Sequence, residues 1–409
     1  MHRRRSEAVP LRRKNQSGPT DPAGATHRTM PRPQIAAYYF PNYHADARNR
    51  IVHGEGWTEW ELVKAARPRW PGHRQPNAPL WGETDEADPA DMARKIDAAA
   101  DHGIDAFIFD WYHYEDGPFL ERGLEEGFLR APNRARLKFA LMWANHDWVD
   151  LHPQKLGEIP RVLYPGPVGP AKFAAITDLV VRRYFSQPNY WRIGGRPYFS
   201  FYELDKLVTG LGGVDATAEA LRAFRGRSVA AGHGDPHFNL VFWQHSILQG
   251  ERASDVSPEL VRRLGFDSVG SYVWIHHFPV GPFPAMDYAD ALEAYLGYCD
   301  KTQPRFAPLP FLPNVTMGWD ASPRTVQSDR FEARGYPFMG TLRNNSPRQF
   351  RLAAEWLGAW VAAREPDPIL TFNAWNEWTE GSYLEPDTVS GFAYLEAIRA
   401  VFGVRGGDR

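Results

Sequence analysis

A single cysteine, Cys299, among 409 residues removes two kinds of architecture at once. No internal disulfide framework forms, and no cysteine-based zinc site is assembled. Its surroundings, ALEAYLGYCD, read as a helix in which the free thiol is packing material. No stretch approaches the roughly 18 apolar residues that a membrane-spanning helix needs. A charge excess of one sign is also lacking. The formal net charge is -2, so nothing global points to nucleic acid or an anionic membrane. Neither G-x-G-x-x-G nor G-x-x-x-x-G-K-[ST] occurs, which disfavours a doubly wound nucleotide-binding sheet.

With 43% hydrophobic and 23% charged residues, the chain reads as a globular protein with a large core. Residues 1–33, basic and rich in Pro, Ser and Gly, are expected to be a disordered tail. Paired arginines there lack a following apolar region, so export is unsupported and a cytoplasmic location is expected. Met30, just before the first strand, is a second candidate translation start. Residues 34–404 are expected to form one domain.

Apolar, β-branched or aromatic runs recur with helical segments between them. They fall at 35–40, 104–111, 137–143, 196–203, 238–244, 266–274, 308–317 and 368–375. Most are nearly continuously apolar, as strands buried on both faces should be. Between them, DPADMARKIDAAADHG pairs a capping Asp88 and Pro89 with a terminating Gly103. Ser346 and Pro347 open a second clear helix with an apolar stripe. Further helices are expected at 117–130, 170–185, 215–231, 287–300 and 390–402, with a short one at 257–264. This alternation predicts an α/β fold, a single (β/α)8 TIM barrel with long βα loops.

In such a barrel the C-terminal strand ends carry the site. The first strand brings Tyr38 and His44 to that rim, and the long loop after it adds Trp57, Glu59 and Trp60. The second and third bring Asp110, Trp111, Trp143, Asn145 and His146. Tyr202, Trp243 and Tyr272 end the fourth, fifth and sixth, while the eighth leads into Asn376, Glu377, Trp378 and Glu380. Aromatic faces stack on sugar C–H groups and polar side chains meet sugar hydroxyls, so the expected ligand is a carbohydrate. The plainer alternative is that these aromatics cap the barrel core, and that Glu59 and Trp60 only pack their loop.

The stretch NAWNEWTEGSYLEPD carries Glu377, Glu380 and Glu385 directly after a buried strand. Carboxylates there are costly unless the protein uses them. Cleaving a glycosidic bond needs a proton for the departing oxygen and stabilisation of an oxocarbenium-like transition state, which a carboxyl pair supplies. Spaced three apart, Glu377 and Glu380 project to one side of a helical turn, and their like charges raise the pKa of one.

The chain resembles the glycoside hydrolase family 99-like proteins, often called WbsX-like. The resemblance rests on YYFPNYH, GWTEWELVKAARPRWPGHRQPNAP, GIDAFIFDWYHY, LMWANHDW and FNAWNEWTEGSYLEPD, which together span the barrel. It implies a hydrolase typified by endo-acting α-mannosidases, retaining configuration through a 1,2-anhydro sugar. On that pattern Glu377 is the base toward the sugar 2-hydroxyl and Glu380 the acid and then base at the leaving group. Tyr38, His44, Asn145, Asn376 and Trp378 are then sugar contacts. The chain departs from the family pattern at WANHDW, where His146 replaces an acid, and at FDWYHY, which adds Asp110.

Three rival readings stand beside this one. A metal-dependent hydrolase would use the histidines near the strand ends, yet neither H-E-x-x-H nor an H-x-H ending the first strand occurs. A glycosyltransferase would need a nucleotide-binding element, and no clear D-x-D accompanies one. A non-catalytic carbohydrate binder would use the same acids only for hydrogen bonds. No metal or cofactor is implied, and oligomeric state is not legible from the chain.

Overall fold

A computed structural model of the protein describes residues 31–247 and 256–404. Parallel strands occupy eight positions: β1 (Gln34–Tyr39), β2 (Ala106–Tyr114), β3 (Lys138–Trp143), β4 (Arg196–Phe201), β5 (His237–Val241), β6 (Ser268–Gly270), β7 in two segments (Phe311–Leu312 and Asn314–Thr316) and β8 (Ile369–Asn373). Ala36 of β1 pairs with Ala106 on one side and with Thr371 on the other. The first segment of β7 pairs with β6 and the second with β8, which brings the sheet edges together. Pro313 separates those segments because it has no N–H for the ladder. Its carbonyl still accepts from the Thr371 amide at 3.1 Å.

Strand register assigns each side chain to the barrel interior or to the helix layer. Asp110 pairs with Met142, Met142 with Ser200, and Ser200 with Asn239, so all four face inward. The interior is narrow and partly polar: Asn239 donates to Ser200 at 2.9 Å and accepts from Ser268 at 2.9 Å. Outward-facing Phe107 and Phe109 pack with Phe128 and Phe139 beneath the helices.

The helices are α1 (Ala47–His53), α2 (Trp60–Ala65), α3 (Pro89–Asp101), α4 (Pro170–Leu179), α5 (Leu204–Leu211), α6 (Val214–Ala230), α7 (Pro258–Leu264), α8 (Tyr288–Phe306), α9 (Pro347–Ala362) and α10 (Ala393–Phe402). Asp88 caps α3 by accepting from the Ala90 amide at 2.8 Å, and Ser346 caps α9. Of the helix expected at 117–130, only the second half is helical. Gly117–Phe119 instead folds back antiparallel on β2, and a π-helical and a 3-10 turn follow at Gly123–Gly127 and Phe128–Arg130. Gly127 lets the helical part pack closely on the loop before α3, since a Cβ there would lie 1.9 Å from the Glu86 carbonyl oxygen.

Residues 1–30 of the expected tail lie outside the described residues. Arg32 is anchored at the base of the barrel. It pairs with Asp105 at 2.7 Å and donates to the carbonyls of Gly103 at 2.6 Å and Phe402 at 2.8 Å. Among the described residues no helix is long and apolar enough to cross a membrane.

Candidate active site

Beyond β8 the chain makes a small ribbon, Asn376–Glu377 pairing antiparallel with Ser382–Tyr383. A 3-10 turn, Trp378–Glu380, joins the two arms and ends at Gly381 with φ 63°. Glycine suits that position doubly, because it adopts positive φ freely and a Cβ would meet Asp320 at 2.8 Å. Trp378 stacks on Tyr383 at 3.8 Å. Glu385 fastens the ribbon from below, accepting from the indoles of Trp375 at 2.9 Å and Trp378 at 2.7 Å and pairing with Lys95 at 2.8 Å. The third acid of the motif is therefore a structural anchor.

Glu377 and Glu380 meet at one guanidinium. Arg324, 5% exposed, places Nη1 at 2.5 Å from Glu380 and Nη2 at 3.2 Å from Glu377. The same Nη2 lies 2.8 Å from Glu59, whose other oxygen accepts from Asn42 at 2.6 Å. Tyr336 donates to Glu380 Oε1 at 2.6 Å and also contacts Arg324. One buried cation thus faces three buried carboxyls.

Burial pushes Glu377 well above the usual carboxylate range; the Glu380 charge adds to the shift and Arg324 opposes it. Burial raises Glu380 too, against Arg324 and the Tyr336 hydroxyl, which both favour its ionised form.

Both acids line a pocket at the mouth of the barrel, together with Arg324 and Tyr336. Asp110, His146, Tyr202, Tyr272 and His276 contribute polar groups to the same pocket, and Phe40, Tyr112, Trp148 and Trp319 contribute aromatic ones. Asp110 accepts from the Tyr272 hydroxyl at 2.8 Å, while its Oδ1 is buried without a partner. Burial raises its carboxyl well above the ordinary range. The pocket histidines are held neutral by burial, His146 at about 4 and His276 at about 3, with His152 also pushed well down. Neutral imidazoles, hydroxyls and carboxyls offer both donors and acceptors to a polyol.

Of the residues picked from the sequence, the pocket gathers Asp110, His146, Tyr202, Tyr272, Glu377 and Glu380. The others lie elsewhere, each for a visible reason. Trp111 and Trp143 pair across β2 and β3 on the outward side; Trp111 packs on Tyr184, and Trp143 on Phe173 of α4. Asn145 and Asn376 act as backbone clamps. Asn145 bonds the amide and carbonyl of Glu203 at 2.8 and 2.7 Å, and Asn376 bonds those of Phe40 at the same distances.

His44 is buried against Glu86 at 2.9 Å. Trp60 donates to the Thr84 carbonyl at 2.9 Å, and Trp378 is held by Glu385. Trp57 stacks on His53 at 4.0 Å, Trp243 packs behind Tyr202 at 4.7 Å, and Tyr38 lies beside Tyr272 at 4.7 Å. Glu59 stands behind the site, bonded to Arg324 and accepting from the Thr379 hydroxyl. Arg324 and Tyr336 are what sequence reasoning missed. The available signal was a rim so rich in acids that a buried cation had to answer it.

Residues 35–398 match the family model described as glycosyltransferase WbsX. Two proteins from strains of Xanthomonas campestris pv. campestris, both described as uncharacterized protein WxcX, are 27% identical over 393 and 380 residues. The matches cover 91% and 89% of this chain but 51% and 49% of theirs, so the chain spans about half the length of those relatives.

Among solved structures, a GH99 endo-alpha-mannosidase from Bacteroides thetaiotaomicron, in complex with bis-tris propane, superposes with a TM-score of 0.55 at 14% identity. That likeness covers 90% of this chain and 96% of that one. A glycoside hydrolase-like protein gives a TM-score of 0.56 at 14% identity, covering 94% and 97%. At such identity the likeness is one of fold.

Proposed function

The chain belongs to the WbsX family, and we propose that it is a glycoside hydrolase cleaving a 1,2-trans glycosidic bond, α-mannoside-like, in a polysaccharide or oligosaccharide. The observation that carries this reading is the pair Glu377 and Glu380, both bonded to Arg324 and both facing one pocket. Proximity to a single anomeric centre lets one carboxyl deliver a proton to the departing oxygen while the other accepts one. The fold shared with an endo-acting mannosidase, and the family's implied chemistry, support an endo-acting, retaining course through a 1,2-anhydro sugar. That course requires the 2-hydroxyl anti to the leaving group, as in an α-mannoside. Asp110, His146, Tyr202 and Tyr272 are proposed as sugar contacts.

Incubation with a panel of defined glycans, with NMR of the first-formed anomer, tests the proposal. Release of reducing ends with retained configuration is expected. Inversion would remove the anhydro-sugar course. Failure to cleave any 1,2-trans glycoside would remove the hydrolase reading. The family's description favours a second reading, transfer of a glycosyl group. Consumption of a nucleotide-activated sugar without hydrolysis of glycans would establish that one instead.

A further inference from the structure

The pocket lining divides by chemistry, and its two parts come from different elements. Polar groups stand at strand ends: Asp110 of β2, Tyr272 just past β6, and the acid pair beyond β8. His146, just past β3, belongs with them. Its Nδ1 lies 2.9 Å from the Asp147 carbonyl, which places the ring proton there and leaves Nε2 as an acceptor. Farther along the same loop the lining turns to carbon. Val149 and Leu151 line the pocket there, and Ile247 of the loop after β5 joins them.

Local structure sets this wall. Leu151 donates its amide to the Val149 carbonyl at 3.0 Å, a three-residue turn that sends Asp150 outward to Arg161 at 3.5 Å. Val149 and Leu151 are 3% and 4% exposed, yet neither packs into the hydrophobic core of the barrel. Their place is the pocket wall. His152 stacks on Trp148 at 5.3 Å and 12°, and both its nitrogens are buried without a partner, so its ring adds no accessible polar atom. The loop is also fixed in advance of any ligand. Its Gln154 amide donates to the Arg324 carbonyl at 2.7 Å, and the Val326 amide donates to the Gln154 carbonyl at 2.8 Å.

A hydroxyl taken from water without a hydrogen-bond partner is costly, whereas a methyl gains by contact with carbon. The ring carbons of a hexose carry hydroxyls and C5 carries a hydroxymethyl group, so an ordinary hexose has no substituent that suits this wall. A carboxylate on C5 would need a cation. Arg324, the cation among the described lining residues, is already shared by Glu59, Glu377 and Glu380. An acetamido methyl on C2 would displace the 2-hydroxyl that the proposed course uses. The C6 methyl of a 6-deoxy sugar meets none of these objections. We propose that Val149, Leu151 and Ile247 read the substituent on C5, and that the sugar bound in the pocket is a 6-deoxy residue of the α-rhamnoside type. Such a residue has the 1,2-trans arrangement of an α-mannoside and lacks only the 6-hydroxyl. The proposal rests on the hydrolase reading for the reaction and names the substrate class of that same pocket.

Binding tests the assignment without turnover. Isothermal titration of the full chain compares methyl 6-deoxy-α-mannoside with methyl α-mannoside, each as the D and the L form. Within the enantiomer that binds, the deoxy glycoside should bind about 10–100-fold more tightly, the range over which an apolar pocket rejects an added hydroxyl. Equal affinity, tighter binding of the mannoside, or no binding of either deoxy form overturns the proposal.

Val149→Thr keeps the side-chain shape and adds a hydroxyl, and Leu151→Asn adds an amide. Each should reduce the preference about tenfold, with thermal melting as the check on folding. A preference unchanged in both folded variants overturns the role of the wall. If neither variant folds, the wild-type affinities still decide. A glycan panel separates this proposal from the hydrolase reading. Cleavage of α-mannans with no cleavage of 6-deoxy glycans sinks the substrate class and leaves the hydrolase reading in place. Preferred binding of the deoxy glycoside with no cleavage of any glycan removes the hydrolase reading and leaves the wall's assignment standing.

Discussion

At the scale of the residue, the site is governed by what burial does to charge. His146, held at about 4, and His276, at about 3, resist protonation in the fold, whereas an unfolded histidine takes up a proton near 6.5. The unfolded chain therefore binds more protons between those values, and each histidine lowers stability as pH falls from about 6.5 toward 4. Neither ring should titrate between pH 5 and 8 in nitrogen-15 NMR of the folded protein, and titration of His146 there would show that its burial is incomplete.

Asp110 works in the opposite direction. Its carboxyl is raised, so the folded state binds the extra proton, and stability present at low pH is lost as pH rises through the folded value. Asp110→Asn removes that loss while retaining an acceptor for Tyr272. It should melt a few degrees higher than wild type at pH 8 and show a smaller difference at pH 4 by calorimetry.

At the scale of the element, the strand alternation decided which of the sequence-chosen residues reached the pocket. Asp110 and Tyr112 face inward from β2 while Trp111 between them faces α4's continuation, and Met142 and Trp143 divide in the same way. That much was legible: a period of two forbids adjacent strand residues from sharing a face. What was not legible is where the strand stops and the loop begins to turn, as at β8, where ribbon and 3-10 turn bring both Glu377 and Glu380 into the pocket.

The ribbon's stiffness depends on Lys95 of α3 reaching Glu385, both side chains almost fully buried. Lys95→Met leaves an uncompensated buried carboxylate and should cost about 3–5 kcal/mol in denaturant unfolding. Adding Glu385→Gln should recover part of that loss. No recovery would mean the carboxylate contributes through its two indole bonds alone.

At the scale of the whole molecule, side-chain bonds tie distant segments together at both ends of the barrel. Arg32 bonds Gly103, Asp105 and the last turn of α10, joining the start of β1 to segments far along the chain. Arg32→Ala should lower stability by about 1–3 kcal/mol, from the loss of charge-assisted bonds, without changing activity per folded molecule. At the mouth, Arg324 from the loop after β7 bonds Glu59 of the first loop and both acids of the last.

The sequence by itself determined the eightfold strand and helix alternation and the rim on which the polar residues collect. Apolar runs and helix caps are local signals, and they survive any arrangement of the rest. It also marked the acid-rich turn after β8, because carboxyls beside a buried strand are conspicuous in any fold. Only the tertiary structure decided that Glu385 is an anchor and that Asn145 and Asn376 are clamps. It alone brought in Arg324, 53 positions before Glu377 in the chain, as the cation that joins the two acids. Charge balance in a buried site is a property of distances in space, and spacing along the chain does not carry it.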